Sequence, residues 1–145
     1  MARIIDIADA VVAELNAAPA GTFTPAIVAV RRVLPEFELA DLAELKVSVV
    51  PKAVEINGST RSASQFDLQV DIGVQKKLGK DLDTEVAALC GLMDQIAAYL
   101  RRRALPGVPG AAWVRTANEP VYAPEHLAEQ RVFTSVLTVT YRAIG

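Results

Sequence analysis

Apolar residues recur at helical spacing in two stretches of the chain. In the first, about Arg3 to Ala17, Ile4, Ala8, Val11 and Leu15 fall at i, i+4, i+7 and i+11, and Ile5 and Val12 widen the stripe. This predicts an amphipathic helix, stopped by Pro19 and Gly21. The second runs from about Asp83 to Arg102, with Val86, Leu89, Cys90, Met93, Ile96, Ala97 and Leu100 on one stripe. Asp81, Asp83 and Glu85 near its start and Arg101 to Arg103 near its end suit the helix dipole. Elsewhere the period changes to two. Phe66, Leu68, Val70, Ile72 and Val74 alternate with Asp67, Gln69, Asp71 and Gly73, the clearest half-buried strand in the sequence. In RVFTSVLTVTYR, Phe133, Leu137, Val139 and Tyr141 take one face, while Val132, Thr134, Val136, Thr138, Thr140 and Arg142 take the other. That Thr-rich face suits a wet or interfacial surface.

Shorter signals fill the gaps. The β-branched run Ile27, Val28, Val30 and Val33 predicts a strand that Pro35 ends, because proline lacks the ladder donor. Glu38 to Leu45 fits either a helical turn or a loop anchored by Leu39 and Leu42. Lys46 to Pro51 predicts a short strand. Glu55 to Ser64 is polar and holds the turn signal Asn57-Gly58, so a long, mobile loop is expected to join KVSVV to FDLQVDIGV as an antiparallel hairpin. A further strand is expected around Ala112 to Thr116, and VYAPEHLAEQ as a loop. The order is α, β, β, β, α, β, β. Two helices with one apolar stripe each can cover only one face of a sheet. The expected fold is therefore α+β: a two-layer sandwich of a mostly antiparallel sheet of about four to five strands with two helices packed on one face. The 145 residues make one domain, and the other sheet face is left to solvent or to a neighbour.

Composition adds one clue about partners. Hydrophobic residues make up 52% against 22% charged, apolar for a small monomer, so a large core or a subunit interface must absorb the surplus. The net charge of -2 gives no field to draw in DNA or an anionic membrane. Cys90 is the only cysteine, which allows no intrachain disulfide and fits synthesis in a reducing compartment. Asp6, Asp9 and Glu14 interrupt the apolar start, so no export signal is expected, and no apolar run approaches the ~20 residues of a membrane-spanning helix.

Candidate chemistry is thin. His126 is the only histidine and sits beside Glu125 with no second ligand at zinc spacing, which favours a solvated or contact residue. Cys90 lies on a helical apolar stripe, where a thiol is a small core residue. Asp67 and Asp71 share a strand face with Gln69 between them. They could bind a cation or do acid–base work, they could pair with Arg or Lys of an adjacent subunit, or they could line the polar side of a half-buried strand, the commonest case. The prolines of LPGVPGAAW suit a turn and no phosphate-binding glycine loop is present. Arg101, Arg102 and Arg103 could touch a phosphate backbone, but helix-end arginines more often satisfy the last carbonyls. No catalytic residue, cofactor or metal is expected.

Four segments, IIDIADAVVAELN, FDLQVDIGVQKKLG, DTEVAALCGLMDQIAAYLRRR and VFTSVLTVTYR, appear in an order that spans nearly the whole chain. In that layout the chain resembles the tail terminator, or tail completion, proteins of long-tailed bacteriophages, and it is similar to related neck and minor tail proteins. The likeness rests on pattern and order. It implies a homo-oligomeric ring, a hexamer, that caps the finished tail tube, ends its polymerisation and offers a surface to the head connector. The partners implied are further copies of the chain, the major tail tube protein and a head-completion protein. The setting implied is the virion tail or neck, made in the host bacterial cytoplasm, with no membrane and with DNA met only in the lumen. The resemblance carries no contact residues. The pattern itself offers Asn57, Gly58, Ser59, Thr60 and Arg61 of the polar stretch, Asp67 and Asp71 of the strand, and Glu125 and His126. A head–tail joining or minor tail subunit is a second expectation. A small-ligand-binding or enzymatic α+β domain using Asp67, Asp71 and His126 is a third.

Overall fold

The computed structural model describes residues 3–33 and 42–145. Helix α1 spans Arg3–Asn16 and buries Ile7, Ala8, Ala10, Val11 and Leu15, the expected stripe. Asn16 then holds the next element. Its side-chain amide donates to Ala29 O at 2.9 Å, and its Oδ1 accepts from Ala29 N–H at 2.8 Å. Ala29–Arg31 form strand β1. The long hairpin follows as β2 (Lys46–Gly58) and β3 (Ser64–Lys77). Next come α2 (Leu82–Leu100), β4 (Ala112–Asn118), α3 (Pro124–Gln130) and β5 (Val132–Ile144).

The five strands form one sheet in the order β1-β2-β3-β5-β4, antiparallel except where β1 runs parallel to β2. Helices α1 and α2 pack on one face. Core side chains from β3 (Leu68, Val70, Ile72, Val74) meet those from β5 (Phe133, Leu137, Val139, Tyr141) and both helices in a single cluster. Each fully buried Leu or Ile removed from water is worth about 1.5–3 kcal/mol, so these alternating rows dominate the driving force for folding. The α+β sandwich with two helices on one face is the fold the periodicities predict. No helix among the described residues is long and apolar enough to cross a membrane.

Both ends of α2 are built from its sequence. Asp81 caps the start: its side chain accepts from Thr84 N–H at 3.3 Å and from Thr84 Oγ1 at 2.8 Å. The helix ends at Leu100, two residues before the expected Arg102, because Arg101 is extended and Arg102 is left-handed with φ 58°. Only Arg103 turns back. Its Nε donates to Tyr99 O at 2.8 Å, its guanidinium lies 3.8 Å from the Tyr99 ring centre, and it pairs with Glu14 of α1 at 3.0 Å.

Four expectations change. The long polar loop is not a loop: β2 continues through Pro51 to Gly58, β3 starts at Ser64, and Asn57 and Gly58 pair with Gln65 and Ser64. The turn is confined to residues 59–63, closed by Ser59 and Thr60 N–H donating to Ala63 O at 3.1 Å. The physical cause lies on the far side of β3. There β5 pairs as far as Gln65↔Ile144, so β3 is held straight and offers β2 a ladder that outweighs the polar residues' turn preference. A register shift between Pro51 and Ala53 accommodates the proline, which cannot donate. Second, the strand expected over residues 27–33 is only Ala29–Arg31. Third, PEHLAEQ is a short helix with a proline in its first turn, ended by left-handed Arg131 at φ 53°. Fourth, β4 runs to Asn118, beyond the expected Thr116. Glu38 to Asp41, including Leu39, and Pro35 lie outside the described residues, and Leu42 is buried.

Candidate functional site

The face of the sheet opposite α1 and α2 collects the polar half of every alternating strand. Two rows cross it: Glu55–Asp67–Arg142–Ala112 and Ala53–Gln69–Thr140–Arg115. Asp67 and Asp71 both point here, as expected from their spacing, but each is already engaged within its own chain. Arg142 grips Asp67 with two bonds, Nε to Oδ1 at 2.8 Å and Nη2 to Oδ2 at 3.2 Å. This hydrogen bond and the guanidinium charge hold the Asp67 carboxyl below the usual carboxylate range, with burial opposing and Arg115 adding a little. Asp71 accepts from Thr138 Oγ1 at 2.6 Å, and Lys52 Nζ lies 3.6 Å away while donating to the same threonine at 3.3 Å. Neither aspartate shares a proton or a ligand with the other. The described residues contain no cluster of three or more His, Cys, Asp or Glu side chains that could hold a metal ion.

His126 does not join them. It lies exposed on α3 with Nδ1 2.9 Å from Thr134 Oγ1, and Thr134 stands opposite Gln75, four residues along β3 from Asp71. Glu125 is exposed in the first turn of the same helix. The nine candidates therefore fall in three places. Asn57 to Arg61 form the hairpin tip, Asp67 and Asp71 lie on the open face, and Glu125 and His126 lie on α3. Cys90 is half-buried on α2, where burial, helped by Asp94, pushes its thiol up and away from the reactive thiolate. Tyr141 is fully buried and its hydroxyl has no hydrogen-bond partner among the described residues, and burial first, then Glu14, pushes it far above an ordinary phenol.

Surface geometry supplies what the candidate list misses. β1 pairs with β2 only at Val47–Val49, so among the described residues no strand covers the outer edge of β2 beyond Pro51. β4 ends the sheet on the other side. Most exposed large hydrophobics gather at these two ends: Val28, Val30, Val33, Val54 and Ile56 at the β1/β2 end, Val121 and Tyr122 just after β4, with Ile144 apart. A groove of about 490 Å³ opens between α2 and β4, lined by Ala97, Ala98, Trp113, Thr116 and Leu137 with Arg101 and Arg115 on it. A smaller polar dip of about 390 Å³ on the open face lies among Lys52, Gln69, Arg115, Thr138 and Thr140. One signal for the far half of β2 was present in the sequence. Val47 and Val49 alternate in one phase and Val54 and Ile56 in the other, as a strand with one inserted residue does.

The fold and these surfaces define an α+β sandwich with a polar open face and two apolar ends. No protein-family model matches the chain, and no curated protein matches it.

Proposed function

We propose that this protein is a virion assembly subunit of a long-tailed bacteriophage, a tail terminator that forms a ring on the finished tail tube and presents a surface to the head connector. The observation that carries the reading is the distribution of exposed apolar side chains. They sit at opposite ends of one sheet, the arrangement a head-to-tail ring subunit needs. The layout of the four sequence segments that resemble tail terminators supports it. The open face also fits, since its two aspartates are engaged within their own chain, Asp67 by Arg142 and Asp71 by Lys52 and Thr138. The ring's work is mechanical: it stops addition of tube subunits by occupying their docking surface. It needs no cofactor.

The test is a tube-polymerisation assay with the major tail tube protein. Adding this protein should halt elongation at substoichiometric amounts and leave a ring at one tube end in electron micrographs. Tubes that lengthen unchecked and carry no cap would reject the terminator reading.

A further inference from the structure

We propose that the β1/β2 end of the sheet in one copy seats on the β4 end of the next, with Val30 against Val121 and Tyr122, and Val54 and Ile56 against the groove between α2 and β4. This names the contact of the ring and rests on the assembly reading above.

Three observations match the two ends to each other. The first is level. Val54, Leu68, Tyr141 and Trp113 form one row across the sheet, so the exposed Val54 at one end stands at the height of Trp113 in the groove at the other. Higher up, Val30, Ser48, Gly73 and Val136 form a second row. Val136 N–H donates to Pro120 O, so that row ends beside Val121 and Tyr122. Two apolar features at one end thus stand level with two at the other. A contact that joins them advances around an axis along the strands with little rise, which favours closure over a filament.

The second is side. Val54 and Ile56 pair with Leu68 and Phe66, which point to the helix-covered face. The groove between α2 and β4 is on that same face. Neighbours in one orientation therefore bring apolar to apolar and keep their helices on one side of the ring. The third is charge. Glu55 lies between Val54 and Ile56 on the open face, where its carboxylate accepts from Asn57 Nδ2 at 3.1 Å. Arg115 borders the groove at the opposite end, and its charge acts on Asp67 of its own chain. The contact sets the carboxylate near the Arg115 guanidinium, opposite charge against opposite charge.

Two variants test the pairing. V30D/V54D/I56D spoils one end, and V121D/A98E spoils the other; all five positions are exposed, so each variant should melt like the unaltered chain by circular dichroism. Each alone should remain monomeric at concentrations where the unaltered chain assembles. Mixed one to one they should form a dimer and nothing larger, since one intact pair of ends remains. A folded variant that still forms the full assembly, or a mixture that gives no dimer, overturns the pairing. The ring reading fails separately: an unaltered chain that grows into open filaments while the mixture gives dimers rejects the ring and keeps the contact. Rings formed by the unaltered chain and by both variants alike keep the ring and reject the contact.

Discussion

The β2–β3 hairpin is one ladder with two unlike halves. Near its base, Val47 and Val49 of β2 are buried, β1 lies along their outer edge, and their partners Val74 and Ile72 are buried too. Toward its tip the outer edge is bare among the described residues, and Val54 and Ile56 are 46% and 60% exposed. Their partners on β3 are not: Leu68 is buried, and Phe66 is covered by Arg3, whose guanidinium lies 4.0 Å from its ring centre. The two halves have the same backbone pairing and the same kinds of side chain. They differ only in what covers them. A strand therefore extends as far as its partner strand supports it, here to the end of β5, whether or not the core reaches that far. An edge left apolar and uncovered is an aggregation hazard for a lone subunit and a ready surface for an assembling one.

The largest effect that can break this comparison comes from the same side chain in the two halves. Ile72→Ala in the covered half should cost about 2–5 kcal/mol of folding stability, while Ile56→Ala at the tip should stay within about 0.5 kcal/mol. Urea unfolding monitored by circular dichroism checks both, and similar losses at the two positions would erase the distinction between the halves.

A smaller effect separates the open face from the core by pH. Asp67, near the tip, has its folded carboxyl held below the unfolded value of about 3.9, so its pairing with Arg142 stabilises the native chain above that pH. This contribution is lost as pH falls through the depressed folded value. Melting temperature of the native chain should therefore drop more steeply than that of Asp67→Asn between about pH 4 and pH 2, the window below the unfolded value. Parallel curves for the two proteins would mean that the bond adds nothing to folding.

The smallest effect is expected where the row that exposes Val54 runs into the core. Tyr141 in that row has a buried hydroxyl without a partner among the described residues, so Tyr141→Phe should leave stability unchanged within about 0.5 kcal/mol or raise it. A clear loss in the same unfolding experiment would show that the hydroxyl is bonded.

What the sequence made legible follows the same division. Helices α1 and α2 and strands β3 and β5 are buried on one side, so their apolar periods announce them. Even there Leu92 escaped, being fully buried beside a stripe drawn through Leu89, Cys90 and Met93. The far half of β2 was marked only by the change of phase at Val54 and Ile56, because Pro51, Asn57 and Gly58 favour turns and its strand conformation is held through β3 by β5, which lies far along the chain. α3 has no buried side chain, so no apolar stripe marks it. Of the candidate site, the shared face of Asp67 and Asp71 was readable from period two. Their partners Arg142 and Lys52 were not, because cross-strand neighbours depend on register. The groove at β4 was equally invisible, since α2, β4 and β5 each contribute only part of its wall.

The central claim is that copies of this chain close on one another. Native mass measurement of the unaltered protein over a concentration series tests it most directly. The account predicts a discrete closed species of six 15.5 kDa subunits, formed alone or on added tail tube ends, with no ladder of ever-larger sizes. A 15.5 kDa particle that persists at tens of micromolar and in the presence of tube ends would contradict it.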